Sequence, residues 1–531
     1  MPRAEVTSAN RGRHVYVLKK RLYKTGFLVL ITISFIYTWL TWEPWSLWQQ
    51  ETTVVTLKED WALDLADKDA INKRAFEFHW CRMQRSRLDW KGIMAPCSGN
   101  THWGKVPPHW RDNPVTDPET SYLFKWDINP AGGFSRFFIQ SQTSEGIPKL
   151  IGGDAWRVHL IGPAYIAPTV IDHRNGSYEV LFLPMEHGVY RAEIMLDYSL
   201  CNGLRDPPVD WFIKGNAQGK GQRYPEVDKN RDYLLAQLWG NTTPVDITIP
   251  PPEEGANTMI KQSILASEAK CNIGCNLLWD GFGRWIGSTW QPYITNVPPF
   301  RSPRFRQGTF CSYGDSVSDF FAMSLRYRKI CRGVFRYCIG KYNWIYPIVN
   351  YTIDKTKTDD LDFDVERILD SVREVLRNDT VMNHESVFLI NCGLHYVESV
   401  NFTSYQQLIN GLIKVFKETY LDRSTNRIRP FYEGRIIWKT TTAINKQRAT
   451  NIQLGRRRFL TFQRVLLYNA YASWAMCKAG IFILDVYPIS DSYPWGTGTH
   501  GSRIPAPNDV VHYSNLAFKP AEDLLESMFE P

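Results

Sequence analysis

Between residues 363 and 376 the run FDVERILDSVREVL sets Val365, Ile368, Leu369 and Val372 at the i, i+3, i+4, i+7 spacing of an amphipathic helix. SYQQLINGLIKVF (404–416) and FLTFQRVLLYNAYASWAM (459–476) are two further amphipathic stretches. Alternating with them stand short apolar runs: GTFCSY (308–313), SVFLIN (386–391), RIIWKT (435–440) and IFILDV (481–486). Strands that are apolar throughout are buried on both faces. Their alternation with helices predicts a parallel sheet in a three-layer α/β architecture. In such sheets the working residues gather beyond the C-terminal strand ends.

From about 118 to 200 the period is two instead. In AWRVHL, Trp156, Val158 and Leu160 alternate with Arg157 and His159. SYEVLFL and VYRAEIML flank Pro184 and Gly188, and the second sets Tyr190, Ala192, Ile194 and Leu196 against Arg191, Glu193 and Asp197. Short strands with turn residues between them predict a small β-sandwich. Residues 43–117 are Trp-rich and irregular and read as a stem, with Cys81 and Cys97 as candidate staples. Residues 201–270 contain IPPPEEG (249–255), a stiff polar break that reads as a connecting segment.

Charge changes the picture at the N-terminus. The 531-residue chain has a formal charge of +8, and residues 1–24 carry seven Lys/Arg against Glu5 alone. The remainder is near neutral, so a nucleic-acid partner is not expected. The basic head runs into GFLVLITISFIYTWLTW (26–42), uncharged and followed by Trp45 and Trp48. That length is near the lower limit for a membrane span, and the Lys/Arg excess puts the head in the cytosol. A cleaved signal peptide would have a shorter apolar core and small residues at its distal end, where Trp39 and Trp42 stand here. The expectation is a retained anchor in a type II membrane protein.

Two features agree with a lumenal body. All ten cysteines lie beyond the anchor, an even number suited to disulfides in an oxidising compartment. Glycosylation sequons at Asn175, Asn241, Asn350, Asn378 and Asn401 also lie on that side. Metal-ligand spacing is absent: Cys271 and Cys275 have no second pair, and no HExxH occurs, so no metal is expected.

Candidate chemistry centres on FCSYGDSVSDFF (310–321), where Ser316 follows a strand and opens a helix. A helix N-terminus offers free N–H groups and a positive dipole end for an oxyanion, although serine also caps helices for structural reasons alone. A nucleophile needs a base and the base an orienter. The one histidine with an acid three residues before it is His512, in APNDVVHYSN, with Asp509 as the orienter. Both motifs follow strands of the parallel sheet and would meet at the same edge. FLINCGLHY ends another strand there, offering Asn391 and Gly393 as oxyanion donors.

Gly-Asp-Ser, Asn-x-Gly-x-His and a terminal Asp-x-x-His together resemble the SGNH (GDSL-type) acyl-hydrolase superfamily in its PC-esterase branch. GFGRWIGSTWQPY (281–293) is similar to the Gly-x-Trp…Trp-x-Pro segment of that branch. DHRNGSYEVLFLPMEHGVYRAEIML resembles the paired strands of filamin-type immunoglobulin-like repeats, and the combination resembles the neurexophilin and PC-esterase domain family. The resemblance implies Ser316 as nucleophile, His512 as base and Asp509 as orienter, with Asn391 and Gly393 at the oxyanion. Asp315, His395 and Trp285 become candidates for lining the site, a buried structural histidine being the other reading of His395. Relatives often carry Arg shortly after the serine, and GDSVSDFF has none.

The expected organisation is a cytosolic tail (1–25), a transmembrane anchor (26–42), a lumenal stem (43–117), an immunoglobulin-like β-domain (118–200), a connecting segment (201–270) and an SGNH-like catalytic domain (271–531). The implied activity is serine acyl transfer, O-acetylating glycan hydroxyls in the Golgi or secretory-pathway lumen. No cofactor would be bound; acetyl-CoA or another acetyl donor would be co-substrate. A glycan O-acetyl esterase of the same fold, and a non-catalytic glycan- or protein-binding protein, are the alternatives.

Overall fold

The computed structural model describes residues 65–103, 113–208, 211–214, 217–218, 232–240, 244–252, 271, 273–294, 306–343, 363–378, 381–498 and 507–529. The expected tail, the anchor at 26–42 and the sequons at Asn241 and Asn350 lie outside these residues. Among the described residues no helix is long and apolar enough to cross a membrane. The fold is mixed α/β, with antiparallel sheets ahead of a parallel one.

A four-stranded sheet runs Asp117–Asp127, Ser135–Gln142, Ser177–Phe182, Thr169–Asp172 in spatial order. It faces a larger antiparallel sheet centred on Ala155–Ile161 and Gly188–Tyr198. Phe137, Ile139 and Val180 from the first meet Trp156, Val158, Tyr190 and Ile194 from the second in one buried cluster. The period-two pattern specifies these inward faces. Two expected boundaries shift. Val245–Ile249, in the segment read as a connector, pairs with Gly188–Tyr198 and buries Val245, Ile247 and Ile249. The hairpin Gly283–Ile286/Thr289–Pro292 also joins this sheet, through Trp285 opposite Tyr165.

The stem reading is corrected as well. Leu65–Ser86 is a 22-residue helix. Phe76, Trp80 and Met83, at i, i+4 and i+7, form a narrow apolar stripe packed with Phe134, Leu181 and Leu183. Arg82 forks onto Glu179 at 2.9 and 2.6 Å, and Arg136 reaches the same carboxylate. Burial would push the Glu179 pKa up, but the Arg82 and His173 hydrogen bonds and the nearby guanidiniums hold it below the usual value. The polar majority of this helix hid its stripe in the sequence.

The parallel sheet has six strands in the order Leu277–Trp279, Phe482–Leu484, Arg435–Lys439, Val387–Ile390, Arg306–Gly314, Phe335–Tyr342. Every neighbouring pair is parallel. Val387, Phe388, Leu389 and Ile390 are all buried, as a strand covered on both faces requires. The helices Val365–Leu376, Phe402–Phe416 and Phe462–Lys478 pack in one group, while Ser316–Leu325 packs with Asn515–Phe529.

Eight of the ten cysteines form bridges: Cys81–Cys271, Cys97–Cys201, Cys275–Cys477 and Cys331–Cys338. Cys311 and Cys392 are buried thiols, and burial pushes Cys311 up to about 12. Three long-range bridges suit a secreted or lumenal protein. Asn175, Asn378 and Asn401, the described sequon asparagines, are all exposed.

Burial, with Arg136 and Arg82, lowers His79 to about 4, and burial lowers His395 to about 4. In the unfolded chain both return to about 6.5. Below that value the unfolded chain binds protons that the folded chain refuses, so stability falls as pH drops from about 6.5 towards about 4. Calorimetry should therefore show a lower Tm near about pH 5 than near about pH 7, with a shallower difference in His79→Asn. A Tm that is flat or rises across this interval contradicts the assignment.

Candidate active site

Ser316 stands where the strand Arg306–Gly314 ends and the helix Ser316–Leu325 begins. Asp315 caps that helix, its Oδ1 accepting from Val317 N at 3.1 Å and Ser318 N at 3.4 Å. Its Oδ2 accepts from Leu394 N at 3.1 Å, across the sheet edge. A Cβ at position 314 would lie 2.4 Å from Ser318 Oγ, so only glycine allows this tight a turn. Asp315 is buried while Ser316 is half-buried, which leaves the hydroxyl reachable.

The candidate base arrives from the other end of the chain. His512 Nε2 lies 2.8 Å from Ser316 Oγ, and Nδ1 lies 2.7 Å from Asp509 Oδ2. With Nδ1–H donating to the carboxylate, Nε2 is left to accept the serine proton. Asp509 Oδ1 accepts from Val511 N at 2.9 Å and His512 N at 3.0 Å, which closes the Asp-x-x-His turn on itself. Burial would raise the Asp509 pKa, but the His512 hydrogen bond and charge, with those backbone donors, hold it below the usual carboxylate value. Thr497 Oγ1 donates to Asp509 O at 2.6 Å and Gly498 N to His512 O at 2.8 Å. The Phe320 ring lies 4.9 Å from the imidazole.

Two other expectations change. Asn391 is buried and gives both amide protons away, to Lys439 O at 2.8 Å and Thr441 Oγ1 at 3.2 Å. It ties two strand ends together and has no donor left for an oxyanion. Gly393 stays beside the site: a Cβ there would lie 2.8 Å from Asp315 Oδ2. The backbone N–H groups of Ser316 and Gly393 donate to no other described residue and are the remaining oxyanion candidates.

Trp285 does not line the site. Its ring is buried, donates to Ile489 O at 3.0 Å and packs 5.1 Å from Tyr493. Tyr493 in turn bonds Ser514 Oγ at 2.8 Å, so Trp285 buttresses the loop that carries His512. His395 feels the charges of Asp315 and His512, and its lowered pKa keeps it neutral near pH 7. Lys439 escaped the sequence reading. It is buried at the end of its strand, its Nζ has no hydrogen-bond partner among the described residues, and burial lowers its pKa to about 8 against the pull of Asp315. A lysine ending a strand run gives no hint of burial. Among the described residues no three His, Cys, Asp or Glu side chains stand close enough to share a metal ion.

No family model matches the chain. Among solved structures, the filamin domain of Lin-41 is 16% identical over 15% of this chain and 82% of its own, with a TM-score of 0.14. A candidate glycoside hydrolase from Bacteroides vulgatus is 10% identical over 60% of this chain and 50% of its own, with a TM-score of 0.15. At these TM-scores neither likeness carries an argument.

The arrangement is suited to nucleophilic acyl transfer. With a chromogenic nitrophenyl acetate, Ser316→Ala and His512→Ala should each lower turnover by roughly 10⁶-fold, and Asp509→Asn by roughly 10⁴-fold. The double variant Ser316→Ala/His512→Ala should be no slower than either single one, because one catalytic unit is lost once. Near-normal turnover in Ser316→Ala would make Gly-Asp-Ser a structural turn.

Proposed function

We propose that the chain is a membrane-anchored, lumenal serine acyltransferase that O-acetylates glycan hydroxyls, an SGNH-type enzyme of the PC-esterase branch with an immunoglobulin-like β-domain ahead of it. The observation that carries the chemistry is the unbroken hydrogen-bonded chain Ser316–His512–Asp509, with Nε2 at 2.8 Å from the nucleophile. The lumenal part of the reading draws on the disulfides, the exposed sequon asparagines and the basic head before the apolar run at 26–42.

In this mechanism Ser316 Oγ attacks the carbonyl carbon of an acetyl donor while its proton passes to His512 Nε2. Asp509 stabilises the imidazolium, and the N–H groups of Ser316 and Gly393 receive the negative charge of the tetrahedral intermediate. His512 returns the proton to the leaving group, leaving acetyl-Ser316. A sugar hydroxyl then gives its proton to His512 and takes the acetyl group, regenerating the serine. If water takes the place of the sugar, the same residues make an esterase.

Full-length protein supplied with acetyl-CoA and glycan acceptors should add acetyl groups to glycan faster than it releases acetate from acetylated glycan. The reverse ratio makes it an esterase. Glycan binding with neither activity removes the enzyme reading.

A further inference from the structure

A cavity of about 300 Å³ lies apart from Ser316, His512 and Asp509, none of which lines it. It opens where the antiparallel sheets meet the parallel domain. The segment after the helix Leu65–Ser86, the edge strand Thr169–Asp172, the first turn of Phe462–Lys478 and the short helix Tyr487–Asp491 form its walls. Its size is at the lower end of the range for small-molecule sites, and junctions of this kind are where such sites occur.

The lining combines apolar side chains, among them Ile93, Val170, Phe462, Leu466 and Pro488, with a few polar groups. Two of its three arginines are already engaged, and the third, Arg174, is solvent-exposed at the rim. Arg87 forks onto Asp485 at 2.9–3.1 Å, and Arg157 onto Asp197 at 3.0 and 3.2 Å. A phosphate or carboxylate would find the Arg87 and Arg157 guanidiniums taken, and would face Asp172 and Asp491 as well. Asp172 accepts from Gly153 N and Arg174 N at 2.7 Å each, and Asp491 lies 3.3 Å from His159 Nε2.

A wholly apolar guest fits no better, because it would leave one amide without a partner. Both Gln463 Oε1 and Nε2 are buried without a hydrogen-bond partner among the described residues, at the cavity wall. The amide is seated against Gly203, where a Cβ would come 2.5 Å from Oε1. An unpaired buried amide is destabilising unless a ligand uses it. A modest rotation of the side chain would present one donor and one acceptor to a guest, beside carboxylates that accept from hydroxyls. Phe462 and Pro488 offer the flat apolar surface that sugar C–H groups pack on.

We propose that this cavity binds an uncharged sugar residue, making it a glycan-holding site separate from the serine centre. The proposal does not depend on acyl transfer, since binding is read without turnover.

Full-length protein should be titrated by calorimetry and saturation-transfer NMR with lactose, cellobiose and methyl galactoside, and with citrate and inorganic phosphate as charged probes. At least one neutral sugar should bind saturably. Gln463→Met should weaken that binding about tenfold, while its Tm stays level or rises because a buried unpaired amide is gone. Leu466→Trp, which fills the cavity, should abolish it. Ser316→Ala should bind the sugar as wild type does, whatever it does to turnover. If Leu466→Trp does not fold, Gln463→Met decides alone. Binding of charged probes in preference, no binding of any neutral probe, or binding unchanged in the cavity variants overturns the proposal.

Discussion

One buried carboxylate holds the candidate centre together. Asp315 takes three backbone N–H groups, two from the helix that begins at Ser316 and one from Leu394 in the neighbouring segment. It thereby fixes the turn at Ser316 against the end of the next strand and orients the first turn of the helix. Buried charge is tolerable only when it is compensated in this way. The positive end of the helix contributes on one side and the Lys439 ammonium on another. Without this carboxylate, Ser316 and Gly393 would lose the contact that sets them side by side.

The second half of the centre depends on a loop that has little regular structure of its own. The Asp509 turn closes on itself, and Thr497 and Gly498 brace it from the preceding segment. Behind it, Trp285 packs on Tyr493, which bonds Ser514. Trp285 belongs to the hairpin that joins the antiparallel sheet. The antiparallel sheets and the loop carrying His512 are thus packed into one continuous set of contacts.

Much of this was legible in the sequence because it is local. The run Val387–Ile390 is apolar throughout, Arg435–Lys439 has an apolar centre between charged ends, and the helix at Val365–Leu376 has an unmistakable stripe. Ser316 and His512 were readable because their spacing to a turn glycine and to Asp509 is short. What failed was direction and long-range pairing. Asn391 has the right type and place, but only the fold reveals that its amide points to Lys439 and Thr441. Trp285 lies in a motif-like segment yet pairs with a strand more than a hundred residues earlier. The helix Leu65–Ser86 was masked by its charges, and an even cysteine count did not reveal that Cys311 and Cys392 stay reduced.

The central claim is that Ser316 is activated by His512 in the folded protein. A fluorophosphonate probe, followed by peptide mass mapping of full-length protein, tests it directly, because such probes phosphonylate a serine only when a base activates it. The account predicts a single phosphonyl adduct, on the peptide carrying Ser316, formed by native protein and absent after denaturation. Absence of an adduct on the native chain, or one on a different serine, would contradict it.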